Sequence, residues 1–205
     1  MKNTKVIILT GTFMVLFTCL NNANAQQITI GAQTWASANL NVTTFRNGDA
    51  IPEAKTWEAW DKAEPAWCYY ENDPANGEKY GRLYNWYAVI DPRGLAPKGW
   101  HVPSNDEWKI LIDLLGGVNA AYTKMKSTNG WARDSVGSNE SGFGSLPGGS
   151  CNSAQSFGGI GYASKWWSST EYSSSTAWYL VISGTIYNSD DDKLSGLSVR
   201  CLKDR

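Results

Sequence analysis

Residues 99–117, GWHVPSNDEWKILIDLLGG, restrict the fold more than any other stretch of this chain. Ser104 is a good helix N-cap, and Glu107 stands three residues later to close a capping box. Asn105 and Asp106 fill the first turn, where unpaired N–H groups favour acceptors and negative charge. Trp108, Leu111, Ile112 and Leu115 then recur at i, i+3, i+4 and i+7, the signature of one buried face. Gly116 and Gly117 can supply a left-handed C-cap. The spacing therefore predicts a helix over 104–115. It is the only long amphipathic helix the sequence declares, so the remaining elements are expected to pack against it.

The first residues read as an address. Lys2 and Lys5 make a basic start, Val6 to Leu20 is mostly apolar, and Ala23-Asn24-Ala25 fits an A-x-A cleavage site. The apolar run is short and broken by Gly11 and Thr12, a poor transmembrane span. The expectation is a signal peptide over 1–25 and export to the cell surface, the periplasm or beyond. The rival is a lipid anchor at Cys19, disfavoured by Phe17 and Thr18 where small residues are wanted. The net charge of −1 becomes more negative once the two leader lysines are removed. That mild, dispersed acidity argues against nucleic acid or an anionic membrane as the main partner. No later segment reads as a membrane span.

Three cysteines follow the leader: Cys68, Cys151 and Cys201. In an oxidising compartment one disulfide and one spare thiol are expected, and spacing does not choose among the three pairs. With a single histidine and no CxxC, a structural zinc site is not indicated. The 11 Trp and 10 Tyr all lie beyond the leader, where they suit either a core or a sugar-stacking surface.

Along the chain, Gln27–Ile30 and Gln33–Trp35 read as a hairpin turned at Gly31. A short helix is expected over 56–63, a strand over 66–70 and a loop from Asn72 to Gly77. Residues 80–90, YGRLYNWYAVI, are aromatic and continuous, which leaves strand or helix open. The stretch 137–161 is rich in Gly and Ser and reads as a long loop, either a binding loop or a connector. Strands are expected over 165–170, 177–183, 185–188 and 197–202. Helices early and paired strands late, without βαβ alternation, indicate an α+β class and one domain over 26–205.

Five blocks in fixed order carry a family resemblance. They are Thr34-Trp35 with Asn39-Leu40, Cys68-Tyr69-Tyr70 with Asn72-Asp73, YGRLYNWYAV at 80–89, GWHVPSNDEW at 99–108, and WWSSTEY at 166–172 closed by Ser198-Val199-Arg200-Cys201. Together they resemble the Fibrobacter succinogenes major paralogous domain, found in exported bacterial proteins and without an established activity. HVPSNDEW and the closing GLSVRC also resemble, more distantly, the formylglycine-generating-enzyme and sulfatase-modifying-factor domains. That likeness implies a C-type-lectin-like fold with short antiparallel strands, one main helix and long irregular loops. It does not bring the chemistry. Cys201 has no neighbouring cysteine with which to hold copper, and one histidine cannot build an iron cluster. Because Cys68 and Cys201 both fall inside family words, the resemblance favours a Cys68–Cys201 bridge.

The candidate site residues divide into three sets. Trp166, Tyr172, Tyr179 and Tyr187, on or beside the late strands among Ser and Asn, are candidates for stacking on a sugar or protein ligand. Strand alternation puts Trp166 and Trp167 on opposite faces, so a one-sided sheet would bury at most one of them. Trp178, Leu180 and Ile182 share a face expected to be buried. Asp190, Asp191 and Asp192 form the densest acidic run and are the calcium candidates, against the plainer reading of a solvated turn. Glu71, Asn72 and Asp73 repeat that idea more weakly, and His101 reads as a hydrogen-bonded structural residue.

The expected function is non-catalytic binding of a glycan or protein, or a structural role in the envelope. An enzyme of unrecognised chemistry is the alternative, requiring a carboxylate pair such as Glu107 and Glu171 in one cleft. A self-assembling surface subunit is the third reading.

Overall fold

The computed structural model of the protein describes residues 27–132 and 137–205; the expected leader with Cys19 lies outside the described residues. The chain opens with a hairpin of β1 (Gln27–Ile30) and β2 (Gln33–Ala36), turned at Gly31 with φ +58°. There follow α1 (Trp57–Trp60), β3 (Trp67–Cys68), a 3-10 turn at Tyr70–Asn72, α2 (Pro74–Tyr80), β4 (Leu83–Tyr84) and α3 (Trp86–Val89). Next come β5 (Trp100–His101), α4 (Asn105–Leu114) and α5 (Val118–Met125). The strands β6 (Gly148–Cys151), β7 (Phe157–Ile160), β8 (Ser164–Glu171), β9 (Thr176–Ser183), β10 (Thr185–Asp192) and β11 (Leu202–Lys203) complete the described chain. The class is α+β.

The capped helix forms as its sequence dictates. The Glu107 N–H donates to Ser104 Oγ at 3.3 Å, and the Ser104 N–H donates back to Glu107 Oε2 at 2.8 Å. Trp108, Leu111, Ile112 and Leu115 are buried, and Gly116 ends the helix at φ +99°. It is not alone. Gly117 serves as the N-cap of α5 rather than a second stop, and Ala121 and Met125 of α5 are buried behind α4.

Elsewhere local chemistry overrides the expected loops. Asp73 caps α2 by accepting from the Ala75 N–H at 2.9 Å, and Pro74 sits at the first helical position with its φ already set. Residues 72–77 are therefore helix entry, not loop. The aromatic run at 80–90 breaks into β4 and α3 because Asn85 Oδ1 accepts from the Ala88 and Ala66 N–H groups, starting a helix. The helix expected over 56–63 closes after one turn at Trp60, capped by Thr56 as expected. In the Gly/Ser stretch, β6 and β7 pair antiparallel. Their glycines hide strand alternation, and Gly149 must be glycine: at φ +67° a Cβ would strike the Gly158 carbonyl and the Tyr70 ring. Of the strand expected at 197–202, only Leu202 belongs to β11; Leu197 and Ser198 make single bridges to Tyr84 and Trp166.

Two main sheets organise the molecule. One, in the order β1-β2-β11-β5, brings the two ends of the described chain together, with Leu202 paired to both Trp35 and His101. The other runs β10-β9-β8-β6-β7. Both Trp166 and Trp167 are fully buried in β8, against the expectation for a one-sided sheet. The reason is that this sheet is covered on both faces. Trp166, Leu180, Ile182 and Ile186 pack with Trp35, Trp108, Leu111 and Phe143, while Trp167, Tyr179 and Val181 pack with Tyr84, Trp86, Val89 and Val199. On the first face the rings of Trp35 and Trp108 lie 4.6 Å apart and those of Trp108 and Trp166 lie 5.9 Å apart. This aromatic stack is the main weld between helix and sheet.

Candidate functional site

Eight of the 11 tryptophans are buried, leaving Trp57, Trp100 and Trp178 to meet solvent. Trp178 has polar neighbours on its own face of the sheet. It belongs to the row Trp178, Leu180, Ile182, but only the last two reach the core; Trp178 sits at the strand end and is half-buried. Tyr172, 55% exposed, packs edge-to-face on it, with ring centroids 4.9 Å apart and planes at 87°. The turn between β8 and β9 fixes Tyr172: its N–H donates to the Thr176 carbonyl at 3.1 Å, and Ser173 Oγ accepts from the Thr176 N–H at 3.1 Å.

Polar groups flank this pair. Asp190 is the register partner of Trp178 and shares its face, with Asn188 two residues along β10. Asn188 Nδ2 donates to Asn105 Oδ1 at 2.6 Å, while Asn188 Oδ1 is buried without a partner. Thr170 Oγ1 accepts from the Asn105 N–H at 3.0 Å, holding the start of α4 against β8. The surface thus combines an aromatic step, a carboxylate and an amide. Such a set can stack on the C–H face of a sugar and exchange hydrogen bonds with its hydroxyls.

The four residues proposed for ligand contact do not form one patch. Trp166 is fully buried, and its Nε1 donates to Asn39 Oδ1 at 2.8 Å, so it is a core residue. Tyr179 is also buried; burial raises its hydroxyl pKa, partly countered by a bond to Ser189. Tyr187 is exposed but pairs with Val181 and therefore lies on the face opposite Trp178. Of the four, Tyr172 is the one that is both exposed and packed against Trp178. Its neighbour Trp178 was expected inside; its place beside the Ser173–Ser175 turn was the sequence signal for exposure.

The acidic run lies in β10, so successive carboxylates alternate between faces. Asp191 Oδ1 accepts from Ser195 Oγ and the Asp192 N–H, each at 2.9 Å, and Asp192 Oδ1 accepts from the Leu194 N–H at 2.8 Å. These bonds shape the turn after β10. Among the described residues no three His, Cys, Asp or Glu side chains gather as a metal site. Asp73, in the weaker acidic set, is occupied as the cap of α2.

The cysteines are arranged differently from the expected Cys68–Cys201 pairing. Cys68 Sγ lies 3.9 Å from Cys151 Sγ, and all three thiols are buried and free. Contact with Cys151 and burial both push the Cys68 thiol well above its ordinary pKa. Cys201 belongs to another cluster of the core, where burial pushes it up to about 12. The correction follows from β6: the Gly/Ser stretch folds into a strand that carries Cys151 back to β3, which was invisible when that stretch read as loop.

His101 is hydrogen-bonded on both ring nitrogens, Nδ1 to Asp204 Oδ1 at 2.7 Å and Nε2 to Glu107 Oε1 at 3.1 Å. Burial pushes the Glu107 carboxyl up, but the Ser104 N–H, His101 and the Ser104 hydroxyl together hold it below its ordinary range. Glu171 is bonded by Lys193 Nζ, so the two carboxylates considered as a catalytic pair have separate partners.

Against this geometry, the model of the Fibrobacter succinogenes major domain matches residues 28–203. The chain belongs to this family. The matched Fibrobacter succinogenes major domain runs from β1 into β11 and so includes both sheets, the capped helix and the Tyr172–Trp178 surface. No curated protein and no solved structure matched the chain. Among the described residues no helix is long and apolar enough to cross a membrane.

Proposed function

We propose that this Fibrobacter succinogenes major domain is an exported, non-catalytic module that binds glycans through Tyr172 and Trp178. The observation that carries the reading is the solvent-facing edge-to-face pair, set beside Asp190 and Asn188 in a domain that buries most of its other indoles. A rigid aromatic step presents contact area at little cost in conformational entropy, which suits a weakly polar sugar face. The pairing of both ends of the described chain in one sheet and the irregular connections support kinship with the C-type-lectin-like, sulfatase-modifying-factor-like scaffolds. Both His101 nitrogens are taken by carboxylates, which favours a structural histidine over a general base.

The test is a glycan array probed with the full chain and with Tyr172→Ala. Spots bound by the former and lost by the latter support the reading; spots unaffected by Tyr172→Ala, or none at all, reject it. Repeating the array with a chelator separates direct stacking from calcium-dependent binding through Asp190–Asp192: the stacking reading expects no change.

A further inference from the structure

Arg200 is buried, with 2% of its surface exposed, and forms no ion pair among those of the described residues. Its Nε donates to Asn39 Oδ1 at 3.1 Å, and its Nη1 donates to the Ala36 and Phe143 carbonyls at 3.1 and 3.0 Å. The guanidinium carbon lies 4.5 Å from the Phe143 ring centroid. Nη2 makes no hydrogen bond, yet it is not among the sealed, unpartnered atoms of the interior. Three neutral acceptors therefore hold a buried cation whose remaining nitrogen stays reachable.

That residue lines a recess of about 190 Å³ between the 37–41 segment and α2. Ser37, Asn39 and Asn41 contribute polar atoms to it, and Gly144 and Leu146 close another side. Glu78 and Lys79 also line it, one negative and one positive, both exposed. Lys79 leans on the Tyr80 ring, 4.9 Å from its centroid, and Glu78 enters no ion pair among the described residues. With those two charges offset, the recess has one uncompensated positive charge, that of Arg200. An isolated buried cation is costly, and a guanidinium has donors fixed in a fork that fits a carboxylate.

We propose that the Arg200 recess is a binding site for a small carboxylate anion, which accepts from Nη2 and supplies the missing counter-charge. The recess admits a compact acid, and its amide and hydroxyl lining suits one that carries hydroxyl groups. Burial pulls the Arg200 pKa down to about 9, consistent with a cation lacking its partner. The site lies apart from the Tyr172–Trp178 surface, so it stands or falls independently of the glycan reading.

The test is a titration of the full chain with acetate and with gluconate at fixed ionic strength, read by the Arg200 Nε–H resonance in two-dimensional NMR and by melting temperature. The expected result is a saturable shift of that resonance with a matching rise in melting temperature, absent with chloride. Ala38→Trp fills the mouth of the recess from an exposed position and leaves Arg200 in place. It is expected to keep the fold and weaken acetate at least tenfold. Arg200→Lys, if it folds, is expected to weaken binding as well. A response that does not saturate, equals that to chloride, or persists in Ala38→Trp overturns the proposal and leaves Arg200 as a purely structural tie.

Discussion

Trp108→Ala removes the ring through which α4 is welded to the sheet. The indole is fully buried, and its neighbours are Trp35 at 4.6 Å, Trp166 at 5.9 Å and Phe143 at 6.1 Å. Truncating a buried Trp to Ala costs about 3–5 kcal/mol in transfer and cavity terms. Each ring pair is worth about 0.5–1.5 kcal/mol beyond area, though these terms overlap and do not simply add. The fully buried position, with rings on several sides, places the loss at the upper end, about 5 kcal/mol. That is a third or more of the stability of an ordinary domain, typically about 5–15 kcal/mol. Trp108→Phe keeps one ring of the stack but leaves a cavity where the second ring was and loses a long hydrogen bond to the Trp167 carbonyl at 3.4 Å, so a loss smaller than that of Trp108→Ala is expected. Urea titration followed by tryptophan fluorescence and by far-UV circular dichroism measures both. A loss below about 1.5 kcal/mol for Trp108→Ala, or a helix signal that melts apart from the rest, refutes the claim that this stack joins helix to sheet.

Other outcomes follow from particular contacts. Ser104→Ala removes the acceptor for the Glu107 N–H and is expected to cost about 1 kcal/mol, read as a lower urea midpoint at unchanged slope. Because the folded Glu107 pKa is lowered, its stabilisation is complete above the unfolded value near ~4.3 and is lost as pH falls through the folded value. The stability difference between wild type and Glu107→Gln should accordingly shrink on acidification below about pH 4.3. Mild oxidation should join Cys68 to Cys151, identified by peptide mapping without reductant; a bridge containing Cys201 contradicts the structure. Closing a loop of 83 positions is worth about 4.5 kcal/mol in the chain-entropy model, read as a rise in unfolding midpoint. Gly196→Ala should destabilise the fold by about 2 kcal/mol or more, since its Cβ would press on Cys151 Sγ and the Trp60 ring.

The capped helix, the opening hairpin and the late strands were legible because each is written locally, as a cap, a turn or an alternation. The Gly/Ser stretch was not. Strands β6 and β7 are held by neighbours distant in sequence, and glycines carry no alternation to read. Helix α2 was announced by Asp73-Pro74, a cap followed by a pre-set φ, but the same pair also reads as a turn. At the candidate site, the sequence grouped Tyr172 with Trp166, Tyr179 and Tyr187, and only the cover over the sheet separates the exposed rings from the buried Trp166 and Tyr179. Two-sided burial arises only when the chain wraps both faces, a tertiary fact that period-two patterning does not encode. The missed proximity of Cys151 to Cys68 has the same origin.

Isothermal titration with the glycan that binds best tests the central claim most directly, comparing the wild type, Trp178→Ala and a Tyr187→Ala control. The account predicts that Trp178→Ala weakens binding about tenfold or more, equivalent to about 1.4 kcal/mol, while Tyr187→Ala on the opposite face leaves it unchanged. Equal affinity for wild type and Trp178→Ala, or a loss confined to Tyr187→Ala, contradicts it.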